Sequence, residues 1–526
     1  MPKRLPIGIQ TFSKIRESDY VYVDKTKEAL ELIENYTYVF LARPRRFGKS
    51  LFLDTLRNIF EGKRELFEGL YIYDKWDWET KYPVIKISWD GRNRSIEDLQ
   101  LNTKRFIRDN QEKLGVKCEA PLEHPTCFAE LIKETYKKYN QPVVVLIDEY
   151  DKPILDVIED ENQAREHREY IKGLYSTLKG VDEYIRFAFL TGVSKFSKAS
   201  IFSGLNMLED ISLNPKFGNI CGYTHHDLET TFKEYLQGAD FDKIKAWYNG
   251  YNFLKDDLYN PFDILQFIKN EFLFDNYWFQ SATPTFLIKL IEKNRYFLPK
   301  LSNLVVGKEL VDSFDIEKIN LEVILYQSGY LTIDQVAYTP FDTIEYRLKI
   351  PNKEVKISLN DYIIKDLLKE TNPNINKTPL FLALRDANLE AFKESLISIF
   401  ASIPYNNYSN NTIQNYEGFY ATVVYLYLQS LGIEIIGEDV TNRGRIDLTL
   451  FIEDKIYILE FKVVEDEKWK MEDEKNSALA QIKEKKYHQK YLTPQHSSLN
   501  TQIYLVGIEF SKEEKNIVSF AWEKIE

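Results

Sequence analysis

The chain has 526 residues, with 69 Lys and Arg against 81 Asp and Glu, for a net charge of −12. That length predicts several units, each with its own core, and that charge excludes a constitutive nucleic-acid coat protein, which binds through many basic contacts. There is no signal peptide and no apolar run of about 18 residues, so neither secretion nor membrane spanning is indicated. Cys118, Cys127 and Cys221 show no metal-ligand spacing and no even framework, which suits a reducing cytoplasm.

Taken in chain order, Tyr38-Val39-Phe40-Leu41-Ala42 has the apolar character of a buried parallel strand. It runs into Arg43-Pro44-Arg45-Arg46-Phe47-Gly48-Lys49-Ser50, and a helix-like stretch from Leu51 to Phe60 follows. Strand, Gly-Lys-Ser loop and helix together predict a phosphate cradle, with backbone N–H groups and the helix N-terminus facing the anion. Arg46, Phe47 and Gly48 belong to that loop, Lys49 would reach the β and γ phosphates, and the Ser50 hydroxyl would hold Mg²⁺. Arg43 stands where such loops begin with glycine, and with Pro44 it makes the loop stiffer and more cationic.

Pro142-Val143-Val144-Val145-Leu146-Ile147-Asp148-Glu149 is an apolar run ending in two acids, as a central parallel strand of a ligand-binding sheet would be. Asp148 would coordinate Mg²⁺ through water, and Glu149 would polarise the attacking water. A third run, Tyr184 to Leu190, ends in Thr191-Gly192-Val193-Ser194-Lys195, and Ser194 is the residue chosen to contact the γ phosphate or that water. From about 236 the chain turns helical and aromatic, with an Asn-Pro turn at 260–261. Helices followed by strands at 330–333 and 344–350 predict a winged-helix-like module, which the net charge favours as a lid over a DNA reader. A polar loop, Asn406 to Asn411, precedes the last unit. These breaks divide the chain into 1–235, 236–300, 301–375 and 376–526.

In that last unit two strand-like runs carry charge among apolar residues: Gly444 to Ile452 with Asp447, and Lys455 to Val464 with Glu460 and Lys462. A buried charge costs several kcal/mol unless paired or metal-bound, so folding alone gives no reason for it. Glu460 and Lys462 share one strand face. Glu453-Asp454-Lys455 marks a tight turn between the runs; a two-residue loop would set Asp447 opposite Glu460 or Lys462 on that face, whereas a three-residue loop without a bulge would turn it away. Two such carboxylates suit Mg²⁺ or Mn²⁺, and the lysine would orient a water or offset phosphoryl charge. The plain alternative is a half-exposed hairpin with a surface salt bridge. Lys483, Lys485, Lys486 and Lys490, with Lys468, Lys470 and Lys475, would form either a basic face for nucleic acid or a solvated helix surface.

The last unit resembles the PD-(D/E)XK nuclease superfamily, over roughly residues 410 to 510, although Ile446 replaces the proline of that name. The resemblance implies an acidic residue on a leading helix, here Glu417, and a glutamine on a trailing helix, here Gln481. The earlier residues, from Tyr22-Val23-Asp24-Lys25-Thr26 through the Gly48-Lys49-Ser50 loop, resemble the bacterial AAA-ATPase-like family, whose members usually carry a PD-(D/E)XK domain at the C-terminus. Further matches are Phe202-Ser203-Gly204-Leu205-Asn206, Trp247 to Tyr251, Tyr259-Asn260-Pro261 and Tyr326 to Thr332. The resemblance implies an α/β architecture: a P-loop ATPase with a parallel sheet, a helical and winged-helix-like middle, and a C-terminal α/β nuclease fold. It also implies ATP and Mg²⁺ or Mn²⁺ as cofactors, with Asp24 and Lys25 near the adenine. DNA or RNA would be the substrate, no membrane would be involved, and homo-oligomerisation is left open. The pairing suggests a nucleotide-gated cutter of DNA or RNA in defence or mobile-element biology. The alternative is a signalling or scaffold ATPase whose C-terminal fold binds nucleic acid without cutting.

Overall fold

The computed structural model describes residues 2–196, 207–280, 298–308, 320–367, 374–403, 417–464, 476–492 and 501–525. The Phe202–Asn206 motif, the Asn406–Asn411 loop and Lys468, Lys470 and Lys475 lie outside them. The chain divides into two compact units, residues 1–282 with 306–346, and residues 283–305 with 347–526.

In the first unit, β1 (Tyr38–Ala42), β2 (Val84–Ser88), β3 (Val143–Asp148), β4 (Ile185–Gly192) and β5 (Glu209–Asp210) form a parallel sheet ordered β2-β3-β4-β1-β5. β3 is buried throughout, as are β1 apart from Ala42 and β4 apart from Arg186, as strands covered on both faces must be. Because β4 lies between β1 and β3, the loop after β1 and the acids ending β3 meet at the carboxyl edge of the sheet. Helix α1 (Lys49–Phe60) leaves that edge directly from β1 and packs Phe52 on Phe189 of β4, ring centroids 5.8 Å apart. At the outer edge, Asn110 of the helix Ile96–Leu114 accepts from the Lys86 amide (3.0 Å) and donates to the Lys86 carbonyl (2.8 Å).

Cys118, in the loop after that helix, and Cys127, in the helix Pro125–Tyr139, form a disulfide, Cα–Cα 5.3 Å, which corrects the reading of the cysteines as suited to a reducing compartment. The chain folds back at Pro121 to His124, and a nine-residue spacing alone gives no hint of it. Cys221 is free and buried.

Val21 and Val23 join Leu228, Phe232, Ile244, Tyr248, Tyr259 and Phe267 in a second core of this unit. Tyr248, Tyr251 and Tyr259 are buried, so the aromatic motifs of this stretch supply packing. A two-stranded ribbon, β6 (Tyr251–Asn252) and β7 (Asp257–Leu258), lies among them. Short strand β8 (Leu304–Gly307) precedes α2 (Leu321–Ser328), which leads into the hairpin of β9 (Thr332–Tyr338) and β10 (Ile344–Lys349).

In the second unit, β11 (Glu434–Thr441), β12 (Gly444–Ile452), β13 (Lys455–Val464), β14 (Gln502–Ser511) and β15 (Ile517–Ile525) form a mixed sheet in chain order. Only β13 and β14 run parallel, and that pairing needs a crossover, which α4 (Ser477–Lys485) supplies. Helix α3 (Glu417–Gln429) lies ahead of the sheet in sequence and stacks Tyr420 on Phe510, centroids 4.3 Å apart. Among the described residues no helix is long and apolar enough to cross a membrane.

Two candidate active sites

Lys49 is buried in the first unit, and its ammonium donates to the carbonyls of Arg43 (2.9 Å) and Pro44 (3.0 Å). Burial pulls its pKa down, while Asp148, Asp151 and Glu149 oppose that shift. The neighbouring Ser50 hydroxyl hydrogen-bonds the Asp148 carboxylate at the end of β3. Asp148 is itself pushed up by burial, against that hydrogen bond and the charges of Lys49 and Lys86. Loop lysine, loop hydroxyl and strand-end acid therefore converge.

Glu149 holds φ +52, a left-handed backbone that costs a non-glycine residue about 1–3 kcal/mol and concentrates at functional sites. Burial and the adjacent Asp148 raise its carboxyl pKa. Asp151 went unnoticed in the sequence, although it stands in the acid-rich run Asp148-Glu149-Tyr150-Asp151 that could have drawn attention. It is buried, its carboxyl is pushed up to about 6 by that burial, and it accepts from the amides of Val193 (3.0 Å) and Ser194 (2.5 Å). The Ser194 carbonyl accepts from the Tyr150 hydroxyl at 2.8 Å. Thr191 was passed over in favour of Ser194. Its hydroxyl is fully buried with no hydrogen-bond partner among the described residues. Alternation along β4 turns it to the same face as Phe189, the face packed on α1.

Arg43 is buried and keeps its charge. Its guanidinium turns inward, donates to the carbonyls of Ala42, Ser212 and Phe217, and lies 3.9 Å from the centroid of the Phe253 ring. Burial lowers its pKa to about 10. Here arginine braces the loop through backbone carbonyls. Phe47 is likewise buried, edge-on to Tyr251 and Phe253, whereas Arg46 is exposed, 5.0 Å from the Phe262 ring centroid. The Arg45 carbonyl accepts from Trp278 Nε1 (3.2 Å) and Asn260 Nδ2 (3.3 Å). Asp24 fixes a turn by accepting from Thr26 N, Thr26 Oγ1 and Tyr71 N, and Lys25 pairs with Asp227 at 3.2 Å. With Arg43 and Lys49, Lys25 contributes positive charge felt at Cys221.

The second site lies on the β12–β13 hairpin. Its turn is Glu453-Asp454, two residues, with Glu453 at φ +51. The ladder pairs Leu448 with Leu459, and one step further the same register sets Asp447 across from Glu460. Asp447 Oδ2 accepts from the Phe461 amide at 2.8 Å. Glu460 is 4% exposed, and its Oε1 accepts from Gln481 Nε2 on α4. Lys462, half-buried on the same face, donates to the Ser477 carbonyl at 3.2 Å. Glu417 is the first residue of α3, and its carboxylate lies outside the described parts of the structure.

Three residues outside the sequence motif hold this arrangement, Glu509, Gly507 and Tyr487. Glu509, beside Lys462 in the parallel register, accepts from Ser477 N (2.7 Å), Ser477 Oγ (2.6 Å) and Ala478 N (3.4 Å), fixing the N-terminus of α4. The helix sits so close to β14 that a Cβ on Gly507 would lie 2.3 Å from Leu479 N. Tyr487 is buried, hydrogen-bonded to Gln481, and its pKa is raised by burial and then by Glu460. Of the surface lysines, Lys483 pairs with Glu523 and Lys490 with Asp439. Among the described residues, no three His, Cys, Asp or Glu side chains form a group that would itself hold a metal ion. The Asp447–Glu460 pair does suit a hard cation that keeps several of its waters, as Mg²⁺ does.

A family model for predicted AAA-ATPases matches residues 6–202, and one for the PD-(D/E)XK nuclease superfamily matches residues 415–520. A relative from Azotobacter chroococcum mcd 1, described as "Uncharacterized protein in vnfD 5'region", is 44% identical over 527 residues, 99% of each chain. No solved structure matches.

Proposed function

Because the chain belongs to the family of predicted AAA-ATPases carrying a C-terminal PD-(D/E)XK nuclease-superfamily domain, we propose that it hydrolyses ATP in its first unit and cuts phosphodiester bonds of DNA or RNA in its second. One observation carries the reading: charged and polar side chains that local folding does not require are brought together in both units, Lys49 and Ser50 with Asp148, and Asp447 with Glu460 and Gln481.

In the first unit the α1 amides and Lys49 bind the phosphates, and Ser50 with Asp148 would hold Mg²⁺. Glu149, its pKa raised, polarises the attacking water, and Thr191 with Ser194 meets the γ phosphate or that water. In the second unit Asp447 and Glu460, joined by Glu417, would hold Mg²⁺ or Mn²⁺. Such an ion would supply Lewis-acid chemistry, polarising a phosphoryl oxygen and acidifying a water. Gln481 fixes the Glu460 carboxylate, and Lys462 offsets charge building on the phosphoryl group. Such a cutter would act on nucleic acid in the cytoplasm, in defence against foreign DNA or in mobile-element biology.

The test incubates the purified chain with Mg²⁺ or Mn²⁺ and a panel of single- and double-stranded DNA and RNA, with and without ATP. Cleavage that requires the cation and disappears in EDTA supports the reading. Nucleic-acid binding without cleavage under every condition would leave a scaffold ATPase in its place.

A further inference from the structure

The C-terminal end of α2 touches both walls of the nucleotide site. Gln327, 7% exposed, accepts from the Lys195 amide at 3.0 Å, and its Nε2 donates to the Lys195 carbonyl at 3.5 Å. Two residues later Gly329 ends the helix at φ +94, against the phosphate loop. A Cβ there would stand 2.8 Å from Pro44 Cβ. Gln327 and Tyr326 also share with Pro44, Val193 and Lys195 the lining of a cavity of about 30 Å³. Together with the two amides held by Asp151, three consecutive amides, Val193 to Lys195, have side-chain acceptors. Gln327 lies 132 residues away in sequence, so this contact joins parts of the chain that local folding would not.

Resting on the reading that ATP binds at Lys49 and Ser50, we infer that Gln327 is a positioning residue for ATP turnover, through which the segment 320–349 regulates that site. Moving α2 shifts the loop after β4 and the loop before α1 together. Conversely, a nucleotide that orders both loops opposes any movement of α2, since coupling between two sites is reciprocal. The chain continues from α2 through β9 and β10 into the second unit at residue 347, which gives the regulation a covalent path.

The experiment compares full-length chains carrying Gln327→Met, which fills the space without hydrogen bonding, and Gln327→Glu, which keeps the acceptor for Lys195 N. Calorimetry gives Mg-ATP affinity, steady-state assays give kcat, and hydrogen exchange reports the 193–195 amides. The expected result for Gln327→Met is a kcat at least about tenfold lower, affinity within about threefold and faster exchange at 193–195. Gln327→Glu should return kcat to within about threefold of wild type. Wild-type kcat in Gln327→Met would overturn the inference, as would equal losses in both variants with exchange at 193–195 unchanged. If instead wild type and Lys49→Ala bind Mg-ATP equally, the underlying reading fails, and the role of Gln327 falls with it.

Discussion

The loop before α1 is braced by residues from 212 to 329, whereas Asp447, Glu460 and Lys462 lie on a single hairpin, served by one helix that begins at Ser477. The nucleotide site is made of loop ends, and distant backbone carbonyls and side chains hold it in shape. The hairpin site is made of neighbouring strands, with geometry set by a two-residue turn and a register. A hairpin keeps its register once one face is buried, because a one-residue slip would reverse every side chain. A loop has no such rule and takes the shape its contacts impose. The first site is therefore the one suited to respond to events elsewhere in the chain.

The sharpest way to break this contrast is Asp447→Asn. It retains an acceptor for the Phe461 amide, so the hairpin should survive while cleavage falls by about a thousandfold, ~4 kcal/mol of barrier. Calorimetric ATP affinity should not change, and a parallel loss of ATP binding would show that the sites are not separately built. Next is Glu149→Gln, which should keep Mg-ATP binding and lower turnover about a hundredfold. Turnover at the wild-type rate would remove Glu149 from the water-polarising role.

Lys49→Ala should weaken Mg-ATP at least about tenfold, ~1.4 kcal/mol, with the melting of the second unit unaffected. The smallest effect is one of pH. Asp151 lies near 6 in the folded chain against an ordinary 3.8, so between those values the folded state holds a proton the unfolded chain has lost. Its stabilising contribution is complete below the lower value and is lost as pH rises through the upper one, at up to about 1.4 kcal/mol per pH unit. Asp151→Asn should flatten that part of the stability profile, read from urea midpoints between about pH 4 and 6. An unchanged slope would mean the acid titrates normally.

The contrast also explains what could be seen in the sequence. The apolar runs of β1, β3 and β4 and their polar ends are local patterns, and so are Asp447, Glu460 and Lys462 with their turn. The inward turn of Arg43 is not local, because the carbonyls it bonds belong to Ser212 and Phe217. The face of β4 that Thr191 shares with Phe189 is set by packing on α1, which no local pattern reveals. Glu509 reads as one more strand charge until α4 is seen resting its N-terminus on it. Gln481, in the middle of the short helix α4, follows from the resemblance and not from periodicity.

One small contact at the outer edge of the first sheet has a wider effect. An edge strand offers unpaired amides and carbonyls to any extended chain nearby, which is how sheets of separate molecules join into aggregates. On β2 the amide and carbonyl of Lys86 are both taken by Asn110, and Lys113 reaches the Val84 carbonyl at 3.4 Å. An incoming strand would have to displace both side chains before forming its first bond. That stretch of the β2 edge is thereby guarded against pairing with another strand.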